Sequence, residues 1–371
     1  MQNSDITIIG GGIMGLLTAR EFLNAGASVT LLEKNACGLE SSWAGGGILL
    51  PLYPWRQAPA ISDLVIESLK IYPALAEQLH TDTGIDPEWT QSGLLITQHP
   101  IEEESLAYQW GEKHHIRMQS PELDSFSGLD VAPQAPILLP DIAQIRNPRL
   151  LKALKCDVLA KGLHLVEHCD ITHFTFEQQK LHDIHTNHGR FPLHHVVLTA
   201  GAWTRSIFQQ YLIGVVDAPE IFPAKGQMLV FDAPPNTLKH IVLHGDHYLI
   251  PRRDGKILAG STVEYHVFHK EVTVDAHESL FNFATSLLPA LKNAPMIKHW
   301  AGLRPATEDG VPYIGLHPEI TNLSINAGHF RNGLTMAPAS AQLLADIVLN
   351  RPTVIDPKAY QFFKHLPKNT L

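Results

Sequence analysis

A strand, a glycine turn, a helix and a second strand ending in a carboxylate open this chain, and together they constrain its fold more than anything that follows. Residues Ile6 to Ile9 are all β-branched and read as a buried strand. Gly10, Gly12 and Gly15 then take the G-x-G-x-x-G spacing, Ile13 to Ala25 read as a helix stopped by Gly26, and Ser28 to Glu33 read as the next strand. Gly10 permits the tight turn, Gly12 lets a pyrophosphate approach the backbone, and Gly15 lets the helix pack closely on the sheet. The helix N-terminus offers free N–H groups and the positive end of its dipole to phosphates. Glu33 lies 18 residues beyond Gly15, where a carboxylate accepts hydrogen bonds from a ribose diol. The glycines alone are a weak signal; the whole unit predicts a dinucleotide site.

At 371 residues the chain is long enough for two domains, or for one with a large insertion. A net charge of −9 argues against a general nucleic-acid binder, because phosphate affinity rests on clustered Lys and Arg. Cys37, Cys156 and Cys169 form no C-x-x-C pair and are read as reduced thiols. The first strand begins about five residues in, which leaves no room for a targeting segment, and no apolar run is long enough for a bilayer crossing. The expectation is a soluble, cytoplasmic protein.

Further along, Ser41-Ser-Trp-Ala-Gly-Gly-Gly-Ile-Leu-Leu-Pro-Leu-Tyr-Pro-Trp55 sets three glycines between aromatic residues, a loop whose backbone must lie close to something flat or bulky. Ile61 to Leu79 reads as an amphipathic helix, Leu94 to Thr97 as a strand, and Ala132 to Pro140 as the stretch nearest to a linker, although Ile137 to Leu139 within it suggest packing. Pro148 to Lys161 predicts a helix, followed by strands at 163–167, 171–176 and 181–186. Val196 to Trp203 predicts a buried strand that stops at a second glycine turn, a place where ligands of open parallel sheets sit. From 222 to 262 the pattern becomes short strands, with Arg253-Asp-Gly-Lys256 as a hairpin turn. The chain returns through a strand at 323–326 to Gly328-His-Phe-Arg-Asn-Gly333 and a last helix from about Ala337, with Pro338 in its first turn. The fold class is therefore α/β, a Rossmann-like nucleotide-binding domain (1–80, 142–220 and 323–371) with an inserted antiparallel-sheet domain for substrate (81–141 and 221–322). Glycine turns at 45–47, 201 and 328–333 are spread along the chain, as one long buried cofactor would require, and this favours FAD over NAD.

The segments SSWAGGGILLPLYPW, VVLTAGAW, FPAKGQML, YLIPRRDGKILAGSTVE, WAGLRPATEDGVPYIG and GHFRNGLTMAP resemble, in order and spacing, the FAD-dependent D-amino-acid oxidase superfamily, most of all the glycine oxidases of the thiamin pathway. The resemblance covers nearly the whole chain. It implies that Gly10, Gly12, Ile13, Met14, Gly15, Glu33 and Lys34 meet the adenosine and pyrophosphate. It implies too that Ser42, Gly46 and Gly47 run past the ribityl chain and flavin ring, that Asp170 and Ile171 meet the adenine edge, and that Ala200, Gly201 and Trp203 form the second turn. His329, Arg331, Asn332, Gly333, Leu334 and Thr335 would approach the flavin pyrimidine, where a helix N-terminus stabilises negative charge. Arg304 is the implied carboxylate clamp, with Tyr248 as its hydroxyl partner and Arg331 nearby.

The physics of these residues points the same way. An arginine flanked by Trp300, Gly302, Leu303 and Pro305 needs an anionic partner, and a guanidinium grips a carboxylate bidentately. The bland alternatives are an ion pair with a protein carboxylate for Arg304 and ordinary strand packing for Tyr248. The implied reaction is oxidation of a small amine-bearing acid to an imine that water hydrolyses, with oxygen reduced to hydrogen peroxide and no strong general base required. FAD would be noncovalent, since residues 313–315 are Tyr-Ile-Gly and no cysteine follows Cys169. His182, His185 and His188 sit around an Asn187-His-Gly189 turn, with His185 on the opposite face, and no metal site is expected. The YHVFHK and PATEDG stretches depart from the glycine oxidases, so sarcosine, proline or a small D-amino acid rivals glycine. A D-amino-acid dehydrogenase feeding a quinone, the flavin domain of a tRNA-modifying oxidoreductase and a non-catalytic FAD-binding protein are the remaining alternatives. A homo-oligomer is compatible with the chain.

Overall fold

The computed structural model describes residues 4–212 and 217–362. A six-stranded sheet runs in the spatial order 313–316, 323–327, 195–198, 6–9, 29–32, 164–166. All its pairs are parallel except the edge strand Tyr313–Leu316, which lies antiparallel to Leu323–Ala327 and joins this sheet although the sequence reading set it in the inserted segment. Alternation along the strands divides the core. Ile6 and Ile8 pack with Leu16 and Leu17 of the helix Ile13–Asn24 and with Ala337 and Ala341 of the helix Gly333–Val348. Ile9, Leu32 and Leu198 face the other way, onto Leu181 and Ile184. Those two belong to a small antiparallel sheet of Ile171–Glu177, Lys180–Thr186 and Gly189–Pro192. Helices therefore cover one face of the parallel sheet and a β-sheet covers the other, a departure from simple Rossmann layering.

The second large sheet has eight strands. Phe222–Asp232 and Met296–Ala306 form its longest pair, joined by 256–260, 247–251, 241–244, 94–96, 137–139 and the short 264–265. Its pairs are antiparallel save Ile241–His244 against Leu94–Ile96. One face, with Leu229, Phe231 and Leu249, is covered by the helix Val274–Leu287. The opposite face presents Met228, Tyr248 and Ile250 toward the parallel sheet and its helices.

Three expectations change. Ile137–Leu139 is a buried strand paired with Leu94–Ile96, so Ala132 to Pro140 is not a linker; three consecutive apolar residues outweigh the flanking prolines. The helix Asn147–Ala160 starts one residue early, and Asn147 is itself buried. The last helix starts at Gly333, which puts Pro338 in its interior. A proline there cannot donate to the carbonyl four residues back. That carbonyl, Leu334, instead accepts from the buried Tyr72 hydroxyl, while Ser68 accepts from Ala339 N–H at 3.1 Å. Both partners lie on the helix Pro59–Thr83, so the irregularity is absorbed by packing. No described helix is long and apolar enough to cross a membrane.

Candidate active site

Between the two large sheets lies a cavity of about 480 Å³. It runs from the carboxyl ends of the parallel strands, past Gly45 to Gly47, to the face of the eight-stranded sheet that carries Tyr248 and Arg304. Of the site residues expected from sequence, Gly10, Gly12, Ile13, Met14, Glu33, Lys34, Ser42, Gly46, Gly47, Ile171, Ala200, Gly201, Trp203, Tyr248, Arg304, His329, Arg331, Asn332, Gly333 and Leu334 all line it. Gly15 and Thr335 do not. Gly15 packs beneath the turn, where a Cβ would collide with the Gly10 carbonyl. Thr335 donates to the Ile48 carbonyl at 3.0 Å, a structural tie.

At the nucleotide end, Gly10 has φ +110° and no room for a side chain against Thr199. Ser42 accepts from Ile13 N–H at 3.0 Å, fastening the first turn of the helix to the 41–47 segment. Glu33 accepts from Gly11 N–H at 2.6 Å and Asn35 N–H at 2.8 Å, which fixes its carboxylate at the strand end. Cys37 donates to the Gly11 carbonyl at 2.9 Å, and burial with Glu33 beside it pushes the thiol up to about 12, so it is not a thiolate nucleophile. Lys34 makes only an exposed ion pair with Asp170 at 3.7 Å.

The middle of the cavity is shaped by glycines. A Cβ at Gly47 would strike the Ile145 carbonyl, and one at Gly46 would come within 2.7 Å of Ile250. Gly302 lets Ala44 rest on the strand, and Trp300 Nε1 donates to the Ala44 carbonyl at 3.0 Å. The buried Arg252 donates to Gly46 O at 2.7 Å, to Gln144 Oε1 at 2.6 Å and to Ile145 O at 3.1 Å. Sequence reading missed it because it adjoins a turn that reads as surface. Asn147 and Asn326, both buried and lining the cavity, were also missed.

At the far end the guanidinium of Arg304 lies over Gly226, where any Cβ would overlap it. It donates to the Thr262 carbonyl at 3.2 Å and to Ser261 Oγ at 2.9 Å, both neutral. No described carboxylate pairs with it, which removes the ion-pair alternative among the described residues. Burial lowers its pKa from the ordinary guanidinium value; the neighbouring Tyr248 hydroxyl opposes that shift and Arg331 adds to it. Tyr248 is 8% exposed and its hydroxyl contacts Met228 Sδ at 3.9 Å, a weak partner. Arg331 is exposed at the cavity rim, over the Phe330 ring. His329 shares a hydrogen bond with Ser340 Oγ at 3.1 Å, so its ring holds the loop to the last helix. That helix has no side-chain cap at Asn332, and Gly333 and Leu334 at its N-terminus line the cavity. The histidines at 182–188 lie elsewhere, with His185 stacked on His173 and His188 donating to the His168 carbonyl.

The cavity suits a long, flat, polar cofactor. The glycine surfaces at 10–12 and 45–47 admit a ligand against bare backbone. The Oδ1 atoms of Asn147 and Asn326 are buried with no hydrogen-bond partner, acceptors for hydroxyl or ring N–H donors.

Residues 5–347 match the family model described as FAD dependent oxidoreductase, DAO. The chain is 41% identical over 362 residues to the glycine oxidase of Pseudomonas putida, spanning 97% of this chain and 98% of that one. It is 30% identical over 373 residues to the bifunctional protein ThiO/ThiG of Trichormus variabilis, spanning 96% of this chain and 54% of that one. The crystal structure of glycine oxidase from Geobacillus kaustophilus superposes with a TM-score of 0.92 at 27% identity, covering 99% of this chain and 100% of that one.

Proposed function

Since the chain belongs to the DAO family of FAD-dependent oxidoreductases and is an FAD amino-acid oxidase, we propose that its substrate is glycine or another small amino acid or secondary amine, held by its carboxylate on Arg304. The observation that carries this reading is the charge on Arg304. It is half-buried, hydrogen-bonded only to neutral oxygens, and faces the cavity. A guanidinium so placed gains most from an anionic ligand, and its remaining N–H groups can engage a carboxylate in parallel.

FAD, when bound, supplies the two-electron acceptor. Gly10, Gly12, Ile13 and Ser42 are proposed to take the pyrophosphate, Glu33 the ribose diol, and Gly46, Gly47 and the 329–334 turn the flavin. Binding is proposed to be noncovalent, with segments 1–80, 142–220 and 323–371 chiefly on the cofactor and 81–141 and 221–322 on the substrate. The protein's own contribution is placement. Arg304 fixes one end of the substrate and Tyr248 bounds the pocket beside it, so that the α-carbon is directed along the cavity toward the glycine loop. No carboxylate or free imidazole is needed if the amine binds neutral. The imine product is hydrolysed by water, and oxygen is the proposed terminal acceptor, yielding hydrogen peroxide. The thiamin-pathway assignment is proposed on the same footing.

Anaerobic titration of the FAD-loaded protein with glycine, sarcosine, proline and D-amino acids, followed by air, tests this. Bleaching by one of them with peroxide on reoxygenation is the expected result. Bleaching without rapid reoxidation would replace oxygen with another acceptor such as a quinone. No bleaching by any would overturn the small-amino-acid reading.

A further inference from the structure

The segment Gly260-Ser261-Thr262 touches both groups assigned to the substrate. A Cβ at Gly260 would come within 2.9 to 3.0 Å of three atoms of the Tyr248 phenol, so the absence of a side chain there makes room for that ring. The next two residues hold Arg304, through Ser261 Oγ at 2.9 Å and the Thr262 carbonyl at 3.2 Å. The segment is itself spliced to the central strand: Gln227 N–H donates to Thr262 Oγ1 at 3.0 Å, and Thr262 N–H to the Gln227 carbonyl at 3.4 Å. Gly226, next to Gln227, is the floor on which the guanidinium lies. The plane of Arg304 is thus fixed from below by one strand and at its edge by one hydroxyl and one carbonyl.

Of the two hydrogen bonds described on Arg304, the one to the Ser261 hydroxyl is made by a side chain, whose loss leaves the backbone intact. Ser261 is 5% exposed and lines the cavity. We infer that Ser261 is the positioning residue of the clamp: its neutral oxygen orients the guanidinium for a substrate carboxylate without cancelling its charge. A carboxylate at this position would make an internal ion pair and fill the clamp. Alanine would leave the charge and remove the orientation. The inference rests on the reading that Arg304 binds the substrate carboxylate.

The test uses FAD-loaded wild type and the variants Ser261→Ala, Ser261→Thr and Ser261→Asp, with acetate as a non-reacting carboxylate followed by calorimetry and by the flavin spectrum. Wild type is expected to bind acetate. Ser261→Ala should keep its FAD content, its melting temperature and acetate affinity within about threefold, yet lose roughly tenfold or more in kcat, as misorientation by a fraction of an ångström does. Ser261→Thr, which keeps the hydroxyl, should recover most of the rate. Ser261→Asp should weaken acetate at least about a hundredfold. An unchanged kcat in Ser261→Ala overturns the inference, as does a rate loss matched by loss of FAD or of stability, because that marks a purely structural role. Failure of wild type to bind acetate overturns the assignment of Arg304 itself, and the inference with it.

Discussion

Arg252 donates to the carbonyl of Gly46 at 2.7 Å, so a buried cation just past the strand His247–Pro251 of the eight-stranded sheet holds the backbone of the glycine loop in the cavity. Burial lowers the Arg252 pKa to about 10, which still leaves it charged at neutral pH. Replacing it with leucine strands three acceptors: Gly46 O, Ile145 O and Gln144 Oε1. At about 1 kcal/mol or more for each buried acceptor left unpaired, Arg252→Leu is expected to cost roughly 3 kcal/mol of stability. Chemical denaturation of the FAD-free protein measures that loss, and faster release of FAD should accompany it.

Arg304→Ala removes the proposed anionic docking point without touching the glycine turns. A fall of roughly a hundredfold or more in kcat/KM is expected, the scale of losing one partner of a buried charge pair. Arg304→Lys should recover only part of it, since an ammonium cannot fork onto a carboxylate. Steady-state kinetics with the preferred amine decide, and FAD content should stay unchanged in both variants.

The second and third glycines of the fingerprint, one placed for phosphate and one for packing, should separate experimentally. Gly12 has φ −74° and only Ser42 Oγ near a built Cβ, at 3.2 Å, so Gly12→Ala should fold. It should nonetheless bind FAD at least about tenfold more weakly, because the added methyl occupies the approach to the backbone. Gly15→Ala drives a Cβ into the Gly10 carbonyl and should destabilise the apoprotein itself by about 2 kcal/mol or more. Thermal melts with and without FAD distinguish the two losses.

Acid stability should carry the imprint of His317. Its Nδ1 accepts from Glu319 N–H at 3.1 Å and Ile320 N–H at 3.0 Å, and burial lowers its pKa to about 4. A proton on Nδ1 would face both donors. The folded state therefore favours the neutral ring, while the unfolded chain protonates near the ordinary value of about 6.5. The contribution is complete above that value and is lost as the pH falls toward 4, amounting to about 3 kcal/mol when both limits are reached. His317→Asn can still offer an oxygen to both N–H groups, so its unfolding free energy should fall less steeply between pH 6.5 and 4.

Much of this was legible in the chain. The opening strand, helix and second strand were found within a residue or two because β-branched runs and a glycine stop are local signals. The hairpin at 253–256 was equally plain, and Gly255 takes φ +87° there. Arg304 was legible as a residue but not as part of a strand. Met296–Ala306 mixes charged, aromatic and small residues, since Gly302 and Arg304 line the cavity while His299 lies against His277 of the helix Val274–Leu287. Asn147, Arg252 and Ser261 were missed because each acts through long-range contacts that leave no periodic trace. The early start of the last helix was hidden by Pro338, whose missing donor is made good by the Tyr72 hydroxyl, while Ser68 on the same neighbouring helix accepts from Ala339 N–H.

The helix 333–348 stands directly against the first helix of the chain, and strand 323–327 lies one strand away from Ile6–Ile9, across 195–198. The walls of the cavity at Gly10 and at Gly333 thus come from segments far apart in the sequence. A chain without the helix 333–348 would expose the apolar faces of Leu16 and Leu17 and leave the cavity open at Gly333, so flavin capture waits on that helix.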